Sequence, residues 1–193
     1  MKTKTWFLYP AEIFDEKFKC FMSWELVTIV AESNSGKTTF AQDIISRNAE
    51  LWIKGHYINL EFAMETVYQN RWLRFHGKDK TSLTKLNPLT ESEQRDMDEY
   101  VKENLSKFSY YSNPNWMSLE ALKLNIQEKA LEWYELFVVD TFSRIQGNLD
   151  QSVARTSQNR CMEELQELAQ RLDIAIVLLH HTNRAGTFEG ILE

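Results

Sequence analysis

The chain of 193 residues is 43% hydrophobic and 26% charged, which fits one globular domain whose core needs no disulfide or metal staple. It contains no apolar run of about 18 residues and no signal-peptide pattern, which argues against a membrane partner and favours a cytoplasmic location. Cys20 and Cys161 are too few for a disulfide framework, and the net charge of −6 means that any contact with nucleic acid needs a local basic patch.

The first predicted strand, residues 26–30, runs directly into a loop of small polar residues and then into a helix over residues 39–48. The loop reads AESNSGKTT at residues 31–39. A strand, a small-residue loop and Gly-Lys-Thr at the start of a helix are typical of a phosphate-binding P-loop. Ala31 stands where the general pattern has glycine. A chance Gly-Lys-Thr at a helix start is the alternative interpretation.

The residue types of this loop suit a triphosphate. Backbone N–H groups of the loop and the positive end of the helix dipole favour an anion at the helix start. Lys37 adds a positive charge for the terminal phosphates, and the Thr38 hydroxyl can ligate Mg²⁺. We therefore predict that ATP and Mg²⁺ bind here. The predicted phosphate-binding residues are Ser33, Asn34, Ser35, Gly36, Lys37, Thr38 and Thr39.

Strands and helices alternate along the rest of the chain. Further strands are predicted at residues 56–60, 108–111, 136–139 and 174–179, and helical periods at residues 64–75, 97–105, 119–126 and 162–172. Thr90 and Glu93 predict a capping box, and Ser118 predicts an N-cap. Short apolar strands that alternate with helices indicate an α/β fold, a mainly parallel twisted sheet with helices on both faces.

Two of the predicted strands end in a carboxylate. Glu61 follows the second strand, and Asp140 follows the fourth. The carboxyl ends of parallel strands meet at one edge of a sheet, so both acids are expected near the P-loop. Asp140 then suits the Walker B acid that holds Mg²⁺ together with Thr38, and Glu61 suits a general base. An ordinary strand cap for Asp140 and a helix-start acid for Glu61 are the alternatives.

The fifth predicted strand ends in two adjacent histidines, His180 and His181. Neighbouring residues of a strand point to opposite faces, so only one of the two can face the phosphates. We favour His181, because a neutral imidazole at a strand tip can sense the γ-phosphate through a hydrogen bond.

Four segments, in the same order along the chain, resemble DnaB-type replicative helicases and RepA-like plasmid helicases. Residues 29–41, IVAESNSGKTTFA, resemble the DnaB-type phosphate loop, which often carries alanine at its first position. Residues 59–65, NLEFAME, resemble that family's Ser-Leu-Glu-Met segment, and residues 138–144, VVDTFSR, resemble the RepA-like Walker B segment. Residues 179–184, LHHTNR, are similar to the RepA-like His-His-Thr and to the DnaB-type Ser-Gln-Leu-Asn-Arg.

The resemblance implies a RecA-like P-loop ATPase core at residues 24–193, preceded by a lead-in segment at residues 1–23. It implies catalytic roles for Glu61 as the base, for Lys37, and for His181 at the position of the γ-phosphate-sensing glutamine. It further implies a homo-oligomeric ring, most simply a hexamer, around single-stranded DNA, with RNA as an alternative.

In the resembling family, loops after the fourth and fifth strands line the channel for nucleic acid. Here these loops are expected at residues 143–160 and 183–193. The first is net basic and rich in amide and hydroxyl side chains, as a loop that follows a phosphate backbone should be. A solvated surface loop is the alternative. The expected contacts are Arg144, Arg155, Arg160 and Arg184.

Two departures from the family are expected. A primase-interacting N-terminal domain is not expected before the first strand, and the family's C-terminal strands and arginine finger are not expected after the fifth. The expected function is the motor domain of a ring-type replicative DNA helicase, stimulated by single-stranded nucleic acid. The alternatives are a RecA-like recombinase or mediator that binds single strands, and a regulatory ATP switch that does not touch nucleic acid.

Overall fold

The structure is a computed structural model that describes residues 5–78, 88–113, 115–146 and 154–181. In chain order its elements are β1 (Trp6–Phe7), α1 (Glu12–Phe18), β2 (Phe21–Met22), β3 (Leu26–Ala31), α2 (Lys37–Ala49), β4 (Gly55–Asn59), α3 (Met64–Phe75), α4 (Glu91–Leu105), β5 (Ser109–Ser112), β6 (Met117–Ser118), α5 (Leu119–Leu131), β7 (Leu136–Asp140), a 3₁₀ turn (Phe142–Arg144), β8 (Ile145–Gln146), α6 (Ala154–Leu172) and β9 (Ala175–His181).

Five parallel strands form the central sheet in the order β3-β9-β7-β4-β5. These are the five strands predicted from the apolar runs, so the prediction of a mainly parallel α/β fold is confirmed. β9 lies between β3 and β7, which means that the P-loop strand and the strand ending in Asp140 are not neighbours. Within the described ranges, no helix is long and apolar enough to cross a bilayer.

Helices cover both faces of this sheet, and β7 shows why its sequence is apolar throughout. Phe137 and Val139 pack into the core beneath α5 and α6, whereas Leu136 and Val138 pack into the core beneath α2 and α3. All four side chains are fully buried. A strand that is covered on both faces needs apolar residues at every position, so it shows no alternation with polar ones.

The helix starts follow the predicted signals at two places. Thr90 and Glu93 form the capping box of α4, in which each side chain accepts a hydrogen bond from the other residue's backbone N–H. The Ser118 hydroxyl accepts a hydrogen bond from the N–H of Ala121 at the start of α5. Helix α2 begins at Lys37, two residues earlier than predicted, and no side chain caps it.

Helix α2 lies unusually close to the sheet. Its side chain Ile45 fills the space in which a Cβ on Gly55, the first residue of β4, would stand. Only glycine can occupy that position while the helix keeps its place. This close packing sets the position of the P-loop at the other end of α2.

Residues 1–23 carry more structure than the sequence predicted. β1 pairs antiparallel with β2, and the stacked rings of Phe7 and Phe21 are buried against the α2 side of the core. The Asn48 side chain on α2 holds the backbone of Leu8 at both its N–H and its carbonyl. Strands of two residues and a helix without buried residues leave no periodic pattern in a sequence, so these elements escaped prediction.

Candidate nucleotide-binding site

The carboxyl edge of the sheet brings four predicted site segments together. In the strand register Ala31 is level with His181, and Asn59 is level with Asp140. The P-loop, the histidine strand, the acidic strand and the turn carrying Glu61 therefore end side by side. Beside them opens a cavity of about 630 Å³, lined by P-loop residues, by Glu61 and His181, and by one side of α3.

The P-loop makes a tight turn before α2. Asn34 and Gly36 both have positive φ angles, 63° and 93°, a conformation that asparagine tolerates and glycine adopts freely. The N–H of Ser35 donates to the carbonyl of Glu32 across the turn, at 3.3 Å. Because no side chain caps α2, its first N–H groups are left for an anion, and the helix dipole favours negative charge there.

Lys37 lies folded against the loop that carries it. Its Nζ donates to the carbonyls of Ala31 at 2.8 Å and Glu32 at 2.5 Å, and the residue is 7% exposed. Burial lowers the pKa of the Lys37 ammonium, while the carboxylates of Asp140 and Glu61 act in the opposite direction. The two carbonyls thus solvate a cation at the wall of the cavity.

Asp140 is buried and held by two hydroxyl groups. The hydroxyls of Thr38 and Tyr57 donate to its Oδ2, at 2.8 Å and 2.9 Å. Burial raises the pKa of the Asp140 carboxyl, and the hydrogen bonds from Thr38 and Tyr57 oppose that rise. Among the described residues, no donor contacts its other oxygen, Oδ1.

Thr38 and Asp140 suit a magnesium ion better than a metal held by the protein alone. In the described part of the chain, no three His, Cys, Asp or Glu side chains gather into a metal-binding group. Mg²⁺ commonly takes one or two protein oxygens and completes its shell with water and substrate phosphates. The adjacent hydroxyl and carboxylate oxygens fit that requirement.

His181 connects Glu61 to the P-loop. Its Nε2 lies 2.7 Å from Oε1 of Glu61, and its Nδ1 lies 3.4 Å from Oγ of Ser33. A carboxylate only accepts hydrogen bonds, so Nε2–H is the donor and a neutral ring can accept the Ser33 hydroxyl at Nδ1. This arrangement orients the Glu61 carboxylate at the cavity.

His180 points away from the cavity. Its ring meets Phe142 edge to face, with the centroids 5.2 Å apart, and its Nδ1 is buried without a partner in the described structure. Burial lowers the pKa of the His180 imidazole. The two histidines of β9 thus contact different layers of the molecule, as the alternation of side chains along a strand requires.

Two residues of the site were not assigned a role from the sequence. The Tyr57 phenol holds Asp140, and the Asn59 side chain accepts the N–H groups of Glu61 and Phe62 at 3.0 Å and 3.2 Å, which fixes the turn after β4. Tyr57 and Asn59 are two residues apart on one strand and so share a face. The signal was therefore present, but it depends on the register between β4 and β7.

The predicted nucleic-acid contacts are only partly described. Arg144 ends the 3₁₀ turn after β7, half-buried, and Arg184 lies outside the described residues. The prediction of one continuous loop over residues 143–160 is wrong, because α6 begins at Ala154 and carries both Arg155 and Arg160. Polar residues at the start of α6 hid the helix, whose buried positions begin at Cys161. Arg160 is exposed and pairs with Glu164, four residues along the helix, at 3.1 Å.

The sequence matches one protein family over most of its length. The family profile described as DnaB-like helicase C terminal domain matches residues 11–188. No curated protein sequence matches the chain.

Several solved structures are similar in fold. One of them, a protein's separate ATPase domain, superposes with a TM-score of 0.73 and 11% identity, over 90% of this chain and 63% of that one. A DnaB-like replicative helicase, described together with its interactions with primase, gives 0.66 and 12%, over 84% and 40%. The RadB recombinase gives 0.58 and 17%, over 91% and 70%. The RecA-like fold expected from the sequence is confirmed, while the chain spans less than two thirds of the first of these structures.

Proposed function

The chain belongs to the DnaB-like helicase C-terminal domain family, and on this basis we propose that it is the ATP-hydrolysing motor domain of a ring-type replicative DNA helicase. The observation that carries the proposal is the meeting of four groups at one cavity. The ammonium of Lys37, the hydroxyl of Thr38 and the carboxylates of Asp140 and Glu61 stand at the carboxyl edge of the sheet. P-loop ATPases need these groups in these relative places.

The P-loop would bind the triphosphate tail. Phosphate oxygens would accept hydrogen bonds from the uncapped N–H groups at the start of α2, and Lys37 would exchange its carbonyl contacts for the β- and γ-phosphates. Thr38 and Asp140 would hold Mg²⁺, which neutralises charge on the phosphates when it is bound.

Glu61 would act as the general base. It accepts the proton of the attacking water as the water oxygen bonds to the γ-phosphorus and the bond to the bridging oxygen breaks, which releases ADP and inorganic phosphate. The hydrogen bond from His181 would orient Glu61 and report the loss of the γ-phosphate to β9. Asn59, which fixes the turn after β4, would keep the carboxylate at this place.

The assembly and partners belong to the same proposal. We infer a homo-oligomeric ring, most simply a hexamer, whose ATPase is stimulated by single-stranded DNA, with residues 24–193 as the motor core and residues 1–23 as the lead-in. Arg144 supports a nucleic-acid contact at the carboxyl edge. The two free cysteines, Cys20 and Cys161, support a cytoplasmic location.

ATP turnover, measured with and without a single-stranded oligonucleotide, tests the proposal. Lys37→Ala is expected to lower turnover by about 100-fold or more with an unchanged circular-dichroism spectrum, because the phosphates lose their cation. Lys54→Ala is the matched control, since Lys54 donates to the Glu132 carbonyl at the opposite edge of the sheet. ATP binding without any response to single strands would favour a nucleotide switch. Stimulation without unwinding of a forked duplex would favour a recombinase.

A further inference from the structure

A second exposed feature stands at the carboxyl edge of the sheet, outside the nucleotide cavity. The indole of Trp116 is 54% exposed, and the guanidinium of Arg144 lies 5.5 Å from its ring centroid. Neither residue lines the cavity that contains the P-loop. Large aromatic rings are mostly buried in folded proteins, so an indole left open beside an arginine calls for a function.

The backbone beneath this pair is firmly anchored. β6, which follows Trp116, pairs in parallel with β8, which follows Arg144, so that Met117 is level with Ile145. Both of these apolar side chains are buried in the core beneath α5 and α6. The ring and the guanidinium are therefore presented from a rigid base, which keeps the entropic cost of binding a ligand low.

The surroundings of the indole are cationic and polar. Arg144 forms no ion pair with any described carboxylate, so its charge is available to a ligand. The side chain of Asn115 donates to that of Asn113 at 2.6 Å, and Asn113 donates to the Tyr111 hydroxyl at 3.0 Å. An open aromatic face, a guanidinium and adjacent amide groups are the equipment with which proteins bind unpaired bases and their phosphates.

We propose that Trp116 and Arg144 form a stacking platform for a base of single-stranded nucleic acid. The inference rests on the proposed function and adds Trp116, from the loop after β5, to the contacts expected from the loop after β7. The base would stack on the open face of the indole, and the guanidinium would meet the adjacent phosphate.

The platform is also connected to the nucleotide site. Arg144 lies four residues after Asp140, and its N–H donates to the Thr141 carbonyl at 3.0 Å within one turn. Phe142 in the same turn contacts His180, the neighbour of the His181 that holds Glu61. A shift of the β9 tip during ATP turnover would therefore reach the platform through packed side chains.

The affinity of the full chain for a fluorescent oligo-dT strand, measured by anisotropy with magnesium and a non-hydrolysable ATP analogue, tests the platform. Trp116→Ala is expected to weaken binding about tenfold or more, whereas Trp116→Phe keeps an aromatic face and most of the affinity. Arg144→Ala is expected to weaken binding and to reduce the slope of log affinity against log salt by about one. Trp52→Ala is the control, because Trp52 is 95% exposed in the turn before β4, at the opposite edge of the sheet.

Photocrosslinking of a strand that contains 5-iododeoxyuridine tests the same contact without any substitution. A crosslink on the peptide containing Trp116 supports the platform, and crosslinks confined to other peptides overturn it. If the wild-type chain binds the strand and the Trp116 and Arg144 variants bind equally well, only the platform fails. If the chain hydrolyses ATP and binds no strand, the nucleic-acid part of the proposed function fails with it.

Discussion

Nε2 of His181 lies 2.7 Å from Oε1 of Glu61, so the tip of β9 holds the carboxylate that follows β4. The two residues are 120 positions apart in the sequence, and two strands, β9 and β4, that are separated by β7 bring them together. The contact makes the orientation of the proposed base depend on the strand beside the P-loop.

Glu61→Gln is expected to keep ATP affinity while phosphate release falls by about 100-fold or more, because the amide cannot accept the proton of the attacking water. Calorimetry measures the affinity, and a phosphate-release assay measures the rate. Glu65→Gln is the control, since Glu65 lies one turn further along and accepts the Tyr110 hydroxyl instead. Normal hydrolysis by Glu61→Gln would exclude Glu61 as the base.

His181→Ala is expected to lower kcat about tenfold with little change in ATP affinity, because Glu61 loses the group that orients it. His181→Gln can still donate a hydrogen bond to the carboxylate and is expected to recover part of the rate. Steady-state kinetics and calorimetry separate the two parameters. A drop in affinity with unchanged kcat would instead assign His181 to ground-state binding.

Tyr57→Phe is expected to move the acidic limb of magnesium-dependent ATP turnover to higher pH. The Tyr57 hydroxyl donates to Asp140 and thereby lowers the pKa of a carboxyl that burial raises. Its removal lets that pKa rise, so Asp140 becomes protonated at a pH where the wild type is still ionised. Hydrogen bonds to charged groups contribute about 1.5–3 kcal/mol, so the magnesium requirement should rise by about tenfold.

The pH–rate profile and the magnesium titration of Tyr57→Phe can be compared with those of Tyr110→Phe. That control removes a hydroxyl which donates to Glu65, outside the site. Coincident profiles for Tyr57→Phe and the wild type would remove Tyr57 from the magnesium site.

His56 is expected to make the fold less stable in acid. It is 2% exposed, with Nδ1 3.0 Å from the Ser109 hydroxyl and Nε2 3.1 Å from Oδ1 of Asn125, and burial lowers its pKa from 6.5 to about 4. The unfolded chain therefore binds a proton at higher pH than the folded one. Stability is complete above about pH 6.5 and falls as the pH drops toward 4, by about 2 kcal/mol at pH 5.

Urea unfolding at pH 7, 6 and 5 measures this loss of stability. His56→Gln removes the titrating group, so its free energy of unfolding should fall less steeply with pH than that of the wild type. Parallel slopes for the two proteins would show that other groups cause the acid sensitivity.

The sequence predicted those parts of the fold that leave a local pattern. Buried strands such as β7 are continuous apolar runs, and strand tips collect polar groups, so the positions of Asp140 and Glu61 along the chain were enough to assign them to the carboxyl edge. Thr90 and Ser118 were identified because capping is a contact within four residues of the chain.

Features that depend on the alignment of distant segments could not be predicted. The role of Tyr57 requires the register that places Asn59 level with Asp140, and an apolar strand gives no sign of its register. The exposed pair of Trp116 and Arg144 requires the two-residue pairing of β6 with β8, which is too short to show any period. The start of α6 was missed because its polar first turns precede the buried position Cys161.

Gly55 gives the amino-terminal end of β4 an influence over chemistry at the other end of the sheet. A methyl group there would push Ile45 and tilt α2, and the displacement would be carried along the helix axis to Thr38. The spacing between the hydroxyl and the carboxylate that would share a metal ion is thus calibrated by a hydrogen atom several turns away. Inactivating substitutions in this domain need not lie anywhere near the nucleotide.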